Sequence, residues 1–335
     1  MKIVVTGSAG FIGFHISKKL LQDKKNTIIG IDSISSYYST QIKRKRLALL
    51  NKNKNFKFIK ANLIKKNKIE NIFKKFKPNI VLHIAGQPGV LYSFKNPNSY
   101  KINNTKATKT ICAVSKKFNV KKFIFASSSS VYGDQKKFPI KESFIKKPKN
   151  YYAKTKLICE EMIKKTFLFS NTKFLIFRFF TIYGPYGRPD MFIHKLLDCI
   201  KLEKKISLHN KGQNFRDFTY IDDIVEGIIR VLDKPAKSNS SWSGKSPDPG
   251  TSLAPWRIYN IGNNNPIELM DYISAIEKSL NMNAHIELLP LQPGDVPDTY
   301  ADVNDLVTDI DYKPSTTIQV GIKNFVNWFK DYYQI

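Results

Sequence analysis

The sequence predicts an α/β chain: a doubly wound parallel sheet with helices on both faces, and a smaller C-terminal α/β lobe. Three observations predict it. Through the first half, short β-branched apolar runs alternate with helical stretches of about ten residues or more. A glycine-rich turn follows the first of those runs and opens a helix. After about Tyr183 the rhythm changes to turn-rich pieces, YGPYGRPD (183–190) and LQPGDVPD (291–298), set among helices and short strands. At 335 residues the chain has the length of about two domains.

Lys2–Thr6 (KIVVT) is the kind of run a buried parallel strand shows. Gly7-Ser8-Ala9-Gly10-Phe11-Ile12-Gly13 forms the turn. Phe11, Ile12, Ile16, Leu20 and Leu21 then recur at helical spacing, so a helix starts near Gly10. A second strand, 27–31 (TIIGI), ends at Asp32. The basic run 41–46 (QIKRKR) reads as an exposed helix start, too short for a functional claim. A third strand is expected over 56–61, a helix over 68–75 and a fourth strand over 80–84 (IVLHI). A helix over 106–118 precedes a fifth strand, 122–126 (KFIFA). A helix over Tyr151–Phe167 precedes a sixth, 174–180 (FLIFRFF). The expected sheet domain is 1–182, with 217–260 returning to it through a segment at 221–232. The lobe takes 183–216 and 261–335. Residues 238–255, rich in Ser, Gly and Pro, read as a mobile surface loop. No internal repeat is visible.

Composition excludes several classes. Apolar residues at 42% and aromatics at 13% exclude disorder and low-complexity architectures. No apolar run reaches the roughly 18 residues of a transmembrane helix. The 55 basic and 27 acidic residues give a formal charge of +28, which alone would suggest a polyanionic partner. Yet only seven of the basic residues are Arg and 48 are Lys, spread along the chain. A nucleic-acid footprint is more often a clustered stripe containing Arg. The charge therefore reads as solvated surface, and neither a nucleic-acid nor a membrane partner is expected. Cys112, Cys159 and Cys199 lie far apart, and the five His (15, 83, 194, 209 and 285) show no ligand spacing. Neither a disulfide framework nor a metal site is expected. The apolar start is broken by Gly7, Gly10 and Gly13, with no cleavage site after it, so a cytoplasmic setting is expected.

The turn has the spacing G-x-x-G-x-x-G. Gly7 permits the tight turn, Gly10 lets the backbone approach a pyrophosphate, and Gly13 lets the helix pack close. The helix N-terminus offers free N–H groups and a positive dipole end to phosphates. Asp32, 19 residues beyond Gly13, stands where a carboxylate accepts hydrogen bonds from an adenosine ribose. It would repel a 2′-phosphate, and no Arg occurs between Asp32 and Arg44, which favours NAD over NADP. In the strand–turn–helix context this is a Rossmann-type fold rather than a chance Gly-rich turn.

Tyr152 and Lys156 lie one helical turn apart, on one face. A phenol with its ordinary pKa of about 10 is a poor base. A nearby ammonium and a cationic nicotinamide favour the phenolate and make a usable general base. In a Lys-rich chain, Y-x-x-x-K alone would read as an exposed aromatic beside a solvated charge. Ser127-Ser128-Ser129-Ser130-Val131-Tyr132-Gly133, at the end of the fifth strand, changes that reading. Ligands of open parallel sheets bind there, and a hydroxyl can hold a substrate oxygen against Tyr152.

The glycine turn, the Ser run and the Tyr152/Lys156 pair together resemble the extended short-chain dehydrogenase/reductase superfamily, in particular its nucleotide-sugar epimerases and dehydratases. Further stretches resemble the UDP-glucuronate 4-epimerase branch: 31–50 with its Ser-Tyr-Tyr, QPGVLYS (87–93), RFFTIYGPYGRPDM (178–191), RDFTYIDDIVEG (216–227) and QPGDVPDTYAD (292–302). The resemblance implies a catalytic set of Ser128, Tyr152 and Lys156. It implies a cofactor site of Gly7, Gly10, Phe11, Ile12, Gly13, Asp32, Asn62, Leu63, Ala85, Gln87 and Asn104 together with Tyr152 and Lys156. For the substrate it implies Ser128, Ser129, Thr181, Arg188, Arg216 on the diphosphate and Asp295 on the uridine ribose. Thr181 stands where UDP-galactose epimerases usually carry Asn, and Arg188 is the expected reader of an acid sugar's carboxylate. Asn62, Leu91 and Gly86 depart from the branch, which usually has Asp, Arg and Ala there.

The implied reaction is a redox-neutral 4-epimerisation of a UDP-sugar, UDP-glucuronate to UDP-galacturonate, through transient oxidation at C4 by tightly held NAD. Its product feeds surface polysaccharides, and the family implies a homodimer through helices near 106–118 and Tyr151–Phe167. A 4,6-dehydratase would place Asp and Glu after the catalytic hydroxyl, where Ser129 and Ser130 stand. A UDP-glucose/UDP-galactose epimerase remains as an alternative. From another class, a silent NAD-binding regulator with a basic nucleic-acid-binding surface would usually lack the Tyr or the Lys.

Overall fold

The structure, a computed structural model, describes residues 1–234, 236–291 and 298–334. β1 (Lys2–Thr6) is buried at every residue but Lys2. It leads into α1 (Phe11–Leu20), β2 (Thr27–Asp32), α2 (Thr40–Leu50), β3 (Phe56–Lys60), α3 (Lys66–Phe76) and β4 (Ile80–His83). Two short helices, α4 (Val90–Lys95) and α5 (Pro97–Tyr100), run through a π-helical stretch, Lys101–Lys106, into α6 (Ala107–Lys117). β5 (Lys122–Ser128), α7 (Tyr151–Phe167) and β6 (Lys173–Phe179) follow.

The second half comprises β7 (Thr181–Tyr183), α8 (Phe192–Lys201), β8 (Lys205–Leu208), β9 (Phe215–Arg216), β10 (Phe218–Tyr220), α9 (Ile221–Asp233), β11 (Trp256–Ile261), β12 (Ile267–Glu268), α10 (Leu269–Leu280), β13 (His285–Leu288), α11 (Asn304–Ile310) and α12 (Ile318–Tyr333). α9 packs on α1, and β11 pairs with β6 as the last strand of the main sheet. Outside the main sheet, β7–β10 and β8–β13 pair in parallel and β9–β12 antiparallel, and α10 packs on α12.

The main sheet is parallel, in the order β11-β6-β5-β4-β1-β2-β3. Successive side chains point to opposite faces, so each strand feeds two cores. Ile3, Val5, Leu82 and Ile124 share one with Phe14 and Ile16 of α1 and Ile224 and Ile228 of α9. Val4, Val81, Phe123 and Ile176 share the other with Ile69, Phe73, Ile111 and Ile163 of α3, α6 and α7. The strand order reverses between β1 and β4, which opens a crevice at the carboxyl ends of the strands.

Three expectations change. The fifth strand continues past Ala126, because Ser127 and Ser128 stay in register with Arg178 and Phe179 of β6. The run 41–46 does open a helix, α2, with Gln41, Arg44 and Lys45 exposed, but Lys43 and Arg46 are buried, because both find neutral acceptors inside. Part of 238–255 is anchored, with Asp248 accepting from Gly250 N (2.8 Å) and Thr251 Oγ1 (2.8 Å), and Thr251 and Ser252 buried. All three cysteines are unpaired. Among the described residues no group of His, Cys, Asp or Glu could hold a metal, and no helix is long and apolar enough to cross a membrane.

Candidate active site

A cavity of about 350 Å³ opens at the reversal point. Its first end is the glycine turn. Gly7 has φ of 74°, and a Cβ on it would come within 2.8 Å of the Ala85 backbone. A Cβ on Gly13 would lie 2.2 Å from the Gly7 carbonyl oxygen. A larger residue at Gly7 would therefore push the turn away from the segment after β4, and one at Gly13 would push α1 away from the turn. No side chain caps α1 at Gly10, which leaves first-turn N–H groups for an anion.

Asp32, at the end of β2, lines the same cavity. Its Oδ2 accepts from Ala9 N (3.2 Å) and its Oδ1 from Ile34 N (2.7 Å). Burial pushes this carboxyl above its ordinary range, while the two N–H groups and the Lys43 ammonium oppose the shift. Lys43 Nζ donates to the Ser35 carbonyl (2.6 Å) and hydroxyl (3.1 Å). Asn62 Oδ1 accepts from Ile64 N (3.1 Å), fixing the wall formed by Ala61, Asn62 and Leu63. An anion-ready helix end, a ribose-side carboxylate and glycines that leave room for close approach fit an adenine dinucleotide.

The other end is built by β5, α7 and β7. Asn150 caps α7 by accepting from Ala153 N (2.8 Å), and Tyr152 and Lys156 both reach the cavity from its first turns. Lys156 Nζ donates to the Ala126 carbonyl (2.7 Å) and lies 4.9 Å from the Phe125 ring centroid. Ser127 and Ser128 both border the cavity, and they differ in their partners. Ser127 Oγ donates to Glu160 Oε1 (2.5 Å), while Ser128 Oγ accepts from Ser130 N (3.2 Å). Burial would push the Glu160 carboxyl up. The Arg178 guanidinium, donating from Nε (3.0 Å) and Nη2 (2.7 Å), outweighs it and holds Glu160 below the usual range. The buried pair locks Ser127 and leaves Ser128 as the strand-end hydroxyl without a buried carboxylate on it.

Asn104 does not line the cavity. It is 2% exposed and sits behind the wall, with Oδ1 accepting from Gln87 N (2.6 Å) and Nδ2 donating to Thr155 Oγ1 (2.9 Å). The π-helical stretch turns its neighbour Asn103 to the cavity instead. Gly86 lies between: a Cβ there would be 3.1 Å from Asn104 Oδ1 and 3.2 Å from Lys156 Nζ.

Thr181 and Arg188 line the cavity. Arg188 Nε and Nη2 donate to Asp190 Oδ1 (3.1 Å) and Oδ2 (3.2 Å), and Tyr37 Oη donates to Asp190 Oδ2 (3.1 Å). Burial, reinforced by the Asp190 charge, pushes the Tyr37 phenol up to about 12. Phe11, Ile12, Ala85 and Gln87 are on the wall as expected, whereas Ser129 and Arg216 are not. Ser129 enters a single 3₁₀ turn, Ser129–Tyr132. Arg216 belongs to β9, opposite Ile267 of β12, and its Nη1 donates to the Phe215 carbonyl (3.4 Å). Asp295 lies outside the described residues. Leu91 is about half exposed on α4, away from the cavity lining.

Tyr37 and Tyr38, quoted above only as part of the Ser-Tyr-Tyr resemblance, and Lys43 and Asn103, assigned no site role from the sequence, all line the cavity. The sequence reading also passed over Arg46, fully buried behind the glycine turn. For Arg46 a signal existed: with seven Arg against 48 Lys, an Arg marks a place where a planar fork has a use.

Residues 3–262 match the family described as NAD dependent epimerase/dehydratase. The chain is 46% identical to "Protein CapI" of Staphylococcus aureus over 335 residues, covering all of both chains. It is 35% identical to a "Probable UDP-glucuronate 4-epimerase" of Rhizobium meliloti, covering 100% of this chain and 98% of the relative. Among solved structures it is similar to a UDP-glucuronic acid 4-epimerase from Bacillus cereus in complex with UDP-glucuronic acid and NAD. That match has a TM-score of 0.89 at 29% identity, covering 99% of this chain and 100% of the other.

Proposed function

The chain belongs to the NAD dependent epimerase/dehydratase family, and from that premise we propose that it is an NAD-holding isomerase that epimerises UDP-glucuronate and UDP-galacturonate at C4. One observation carries the reading. A single cavity joins a dinucleotide cradle (Gly7, Gly10, Gly13, Asp32) to a proton-transfer set (Ser128, Tyr152, Lys156), with Arg188 on its wall. The full-length similarity to UDP-glucuronate 4-epimerases supports the choice of sugar.

NAD, when bound, supplies the acceptor and donor of the C4 hydride. The turn and the α1 N-terminus would hold its pyrophosphate, Asp32 its adenosine ribose, and Tyr152 with Lys156 its nicotinamide end. Ser128 Oγ holds the sugar O4. Tyr152 Oη takes the O4 proton and later gives it back, with the buried Lys156 ammonium one helical turn away on α7. Inversion requires the ring to present its other face between removal and return, which a cavity lined by Thr181, Ile182 and Met191 leaves to the sugar end. Arg188 grips the carboxylate, and Arg216 and Asp295 serve the UDP end.

Further parts of the reading are architectural and cellular. Residues 1–182 with 217–260 form the NAD-binding domain, and 183–216 with 261–335 the UDP-sugar lobe. Two copies pair through α6 and α7, whose outer face carries the half-exposed Ile158. The enzyme works in the cytoplasm, consistent with three unpaired cysteines, and supplies polysaccharide synthesis.

The Arg188–Asp190 pair favours a second reading, in which the arginine is already satisfied and the substrate is a neutral UDP-sugar. Incubating pure protein with UDP-glucuronate or UDP-glucose, without added NAD, and separating the 4-epimers decides between them. Conversion of UDP-glucuronate in preference to UDP-glucose is expected. Conversion of UDP-glucose alone would replace the first reading by the second.

A further inference from the structure

Arg46 is a buried cation whose partners are all neutral. It is 0% exposed, on α2. Its Nη1 donates to the Ala9 carbonyl (2.9 Å) and to Tyr38 Oη (2.9 Å). Nε donates to the Tyr186 carbonyl (3.1 Å), and Nη2 to the Tyr186 (2.5 Å) and Gly187 (2.9 Å) carbonyls. The fork's five N–H groups can all be engaged this way; among the described residues no carboxylate bonds to it, and Asp32 acts on it only at longer range. Buried charges are ordinarily paired, because an uncompensated one is costly.

The two edges of the fork touch two different parts of the site. Ala9 lies in the glycine turn, next to Gly10 at the N-terminus of α1. Tyr186 and Gly187 immediately precede Arg188. Tyr186 holds φ of 56°, a left-handed conformation that a bulky residue rarely adopts unless its surroundings impose it. Other contacts bind the same segment to the cofactor side. His15 Nε2 donates to the Pro185 carbonyl (2.8 Å), the Phe14 ring packs tilted against the Tyr186 ring with centroids 5.1 Å apart, and Tyr37 holds Asp190. Burial keeps His15 neutral, pushed down to about 3, so Arg46 is the cation of this set.

We infer that Arg46 is a positioning residue that couples cofactor binding to sugar selectivity: the pyrophosphate at the glycine turn completes its charge, and its other edge sets the Tyr186–Gly187 carbonyls that aim Arg188. The inference rests on the reading above for the nature of the sugar. It predicts that the segment 184–190 is better ordered with NAD than without it, and that losing the fork harms acid-sugar binding more than neutral-sugar binding.

Two measurements test it. In a Tyr152→Phe background, which prevents turnover, calorimetric titration of NAD-loaded protein compares Arg46 with Arg46→Lys and Arg46→Met. Couplings between sites are commonly about 5- to 150-fold. UDP-glucuronate should bind at least about fivefold more weakly in the variants, and UDP-glucose less than about twofold. NAD affinity should fall as well. Equal losses on both sugars, or unchanged NAD affinity, overturns the inference. Should the variants not fold, hydrogen exchange on the wild type is decisive. Amides in 184–190 should exchange at least about fivefold more slowly with NAD than after its removal, and equal rates overturn the inference. This second measurement uses no sugar. If NAD protects the segment while UDP-glucuronate is not a substrate, the functional reading fails and the coupling stands.

Discussion

Replacing Arg188 with Leu should change which sugar the enzyme prefers. Arg188 spends Nε and one Nη2 proton on Asp190, and its other three N–H groups meet no partner among the described residues. The Nη1/Nη2 edge therefore remains for a sugar carboxylate. A hydrogen bond to a charged group contributes about 1.5–3 kcal/mol, equivalent to roughly 10- to 150-fold in relative kcat/KM. A second loss follows from the pairing. Without Arg188, Asp190 keeps only the Tyr37 hydroxyl as hydrogen-bond partner, with the Lys43 ammonium acting on it at longer range, and its charge opposes that of a sugar carboxylate nearby. At a separation of about 6 Å and an effective dielectric of about 20, their repulsion is about 3 kcal/mol. Arg188→Leu should thus lower kcat/KM for UDP-glucuronate by about 10³-fold or more relative to UDP-glucose. Arg188→Leu with Asp190→Asn should recover the repulsive share and leave the 10- to 150-fold defect. Steady-state rates on both sugars for the wild type and the two variants provide the assay. Equal losses on both sugars would refute the argument and leave Arg188 as a prop for its loop.

Tyr152→Phe should cut turnover by about 10²–10⁴-fold while NAD still co-purifies, since the ring stays and only the hydroxyl is lost; near-normal epimerisation would remove Tyr152 from the mechanism. Asp32→Ala should weaken NAD binding and relax discrimination against NADP, because the carboxylate goes and the Lys43 ammonium stays beside the site; a wild type that binds both equally well would contradict this. Burial pushes the Glu142 carboxyl up to about 7 from an unfolded value of 4.5, so the folded state binds the proton more tightly and loses stability as pH rises from about 4.5 to about 7. Glu142→Gln, which can still accept from Asn260 N, should be more stable than wild type at pH 8 by up to about 3 kcal/mol and no more stable at pH 4.5, read by denaturant melts. Burial in an aromatic cage of Phe325, Trp328 and Phe329 pushes His194 down to about 3, so stability is lost as pH falls from 6.5 towards 3. His194→Leu should remove about 2 kcal/mol of that loss at pH 5, and an unchanged pH slope would argue against a buried neutral ring.

Much of the site could be read from the sequence alone because its parts are local. The glycine spacing, the carboxylate ending β2 and the one-turn separation of Tyr152 and Lys156 are properties of a strand–turn–helix and of a single helix. The alternation of strands with helices fixed a parallel sheet by the same logic, since period and length need no partner to be recognised. What the tertiary structure alone decided depends on which groups meet across long sequence separations. Nothing local distinguishes Lys43 from the solvated Lys around it, and the rarity of Arg does not separate the buried Arg46 from the exposed Arg44; Lys43 and Arg46 are buried because acceptors at Ser35, Ala9, Tyr186 and Gly187 converge on them. Ser127 and Ser128 differ only because pairing with β6 extends β5 by two residues, and Glu160 and Arg178 then claim one hydroxyl. Asn104 moves off the wall, and Asn103 onto it, because the π-helical stretch shifts the face the helix presents. Arg188 finds Asp190 two residues away, while Tyr37, contributed by the cofactor side, fixes that carboxylate from across the cavity. Desolvation selects such partners in three dimensions, since a buried donor or charge must find an acceptor wherever the fold brings one, and a one-dimensional pattern does not carry that information.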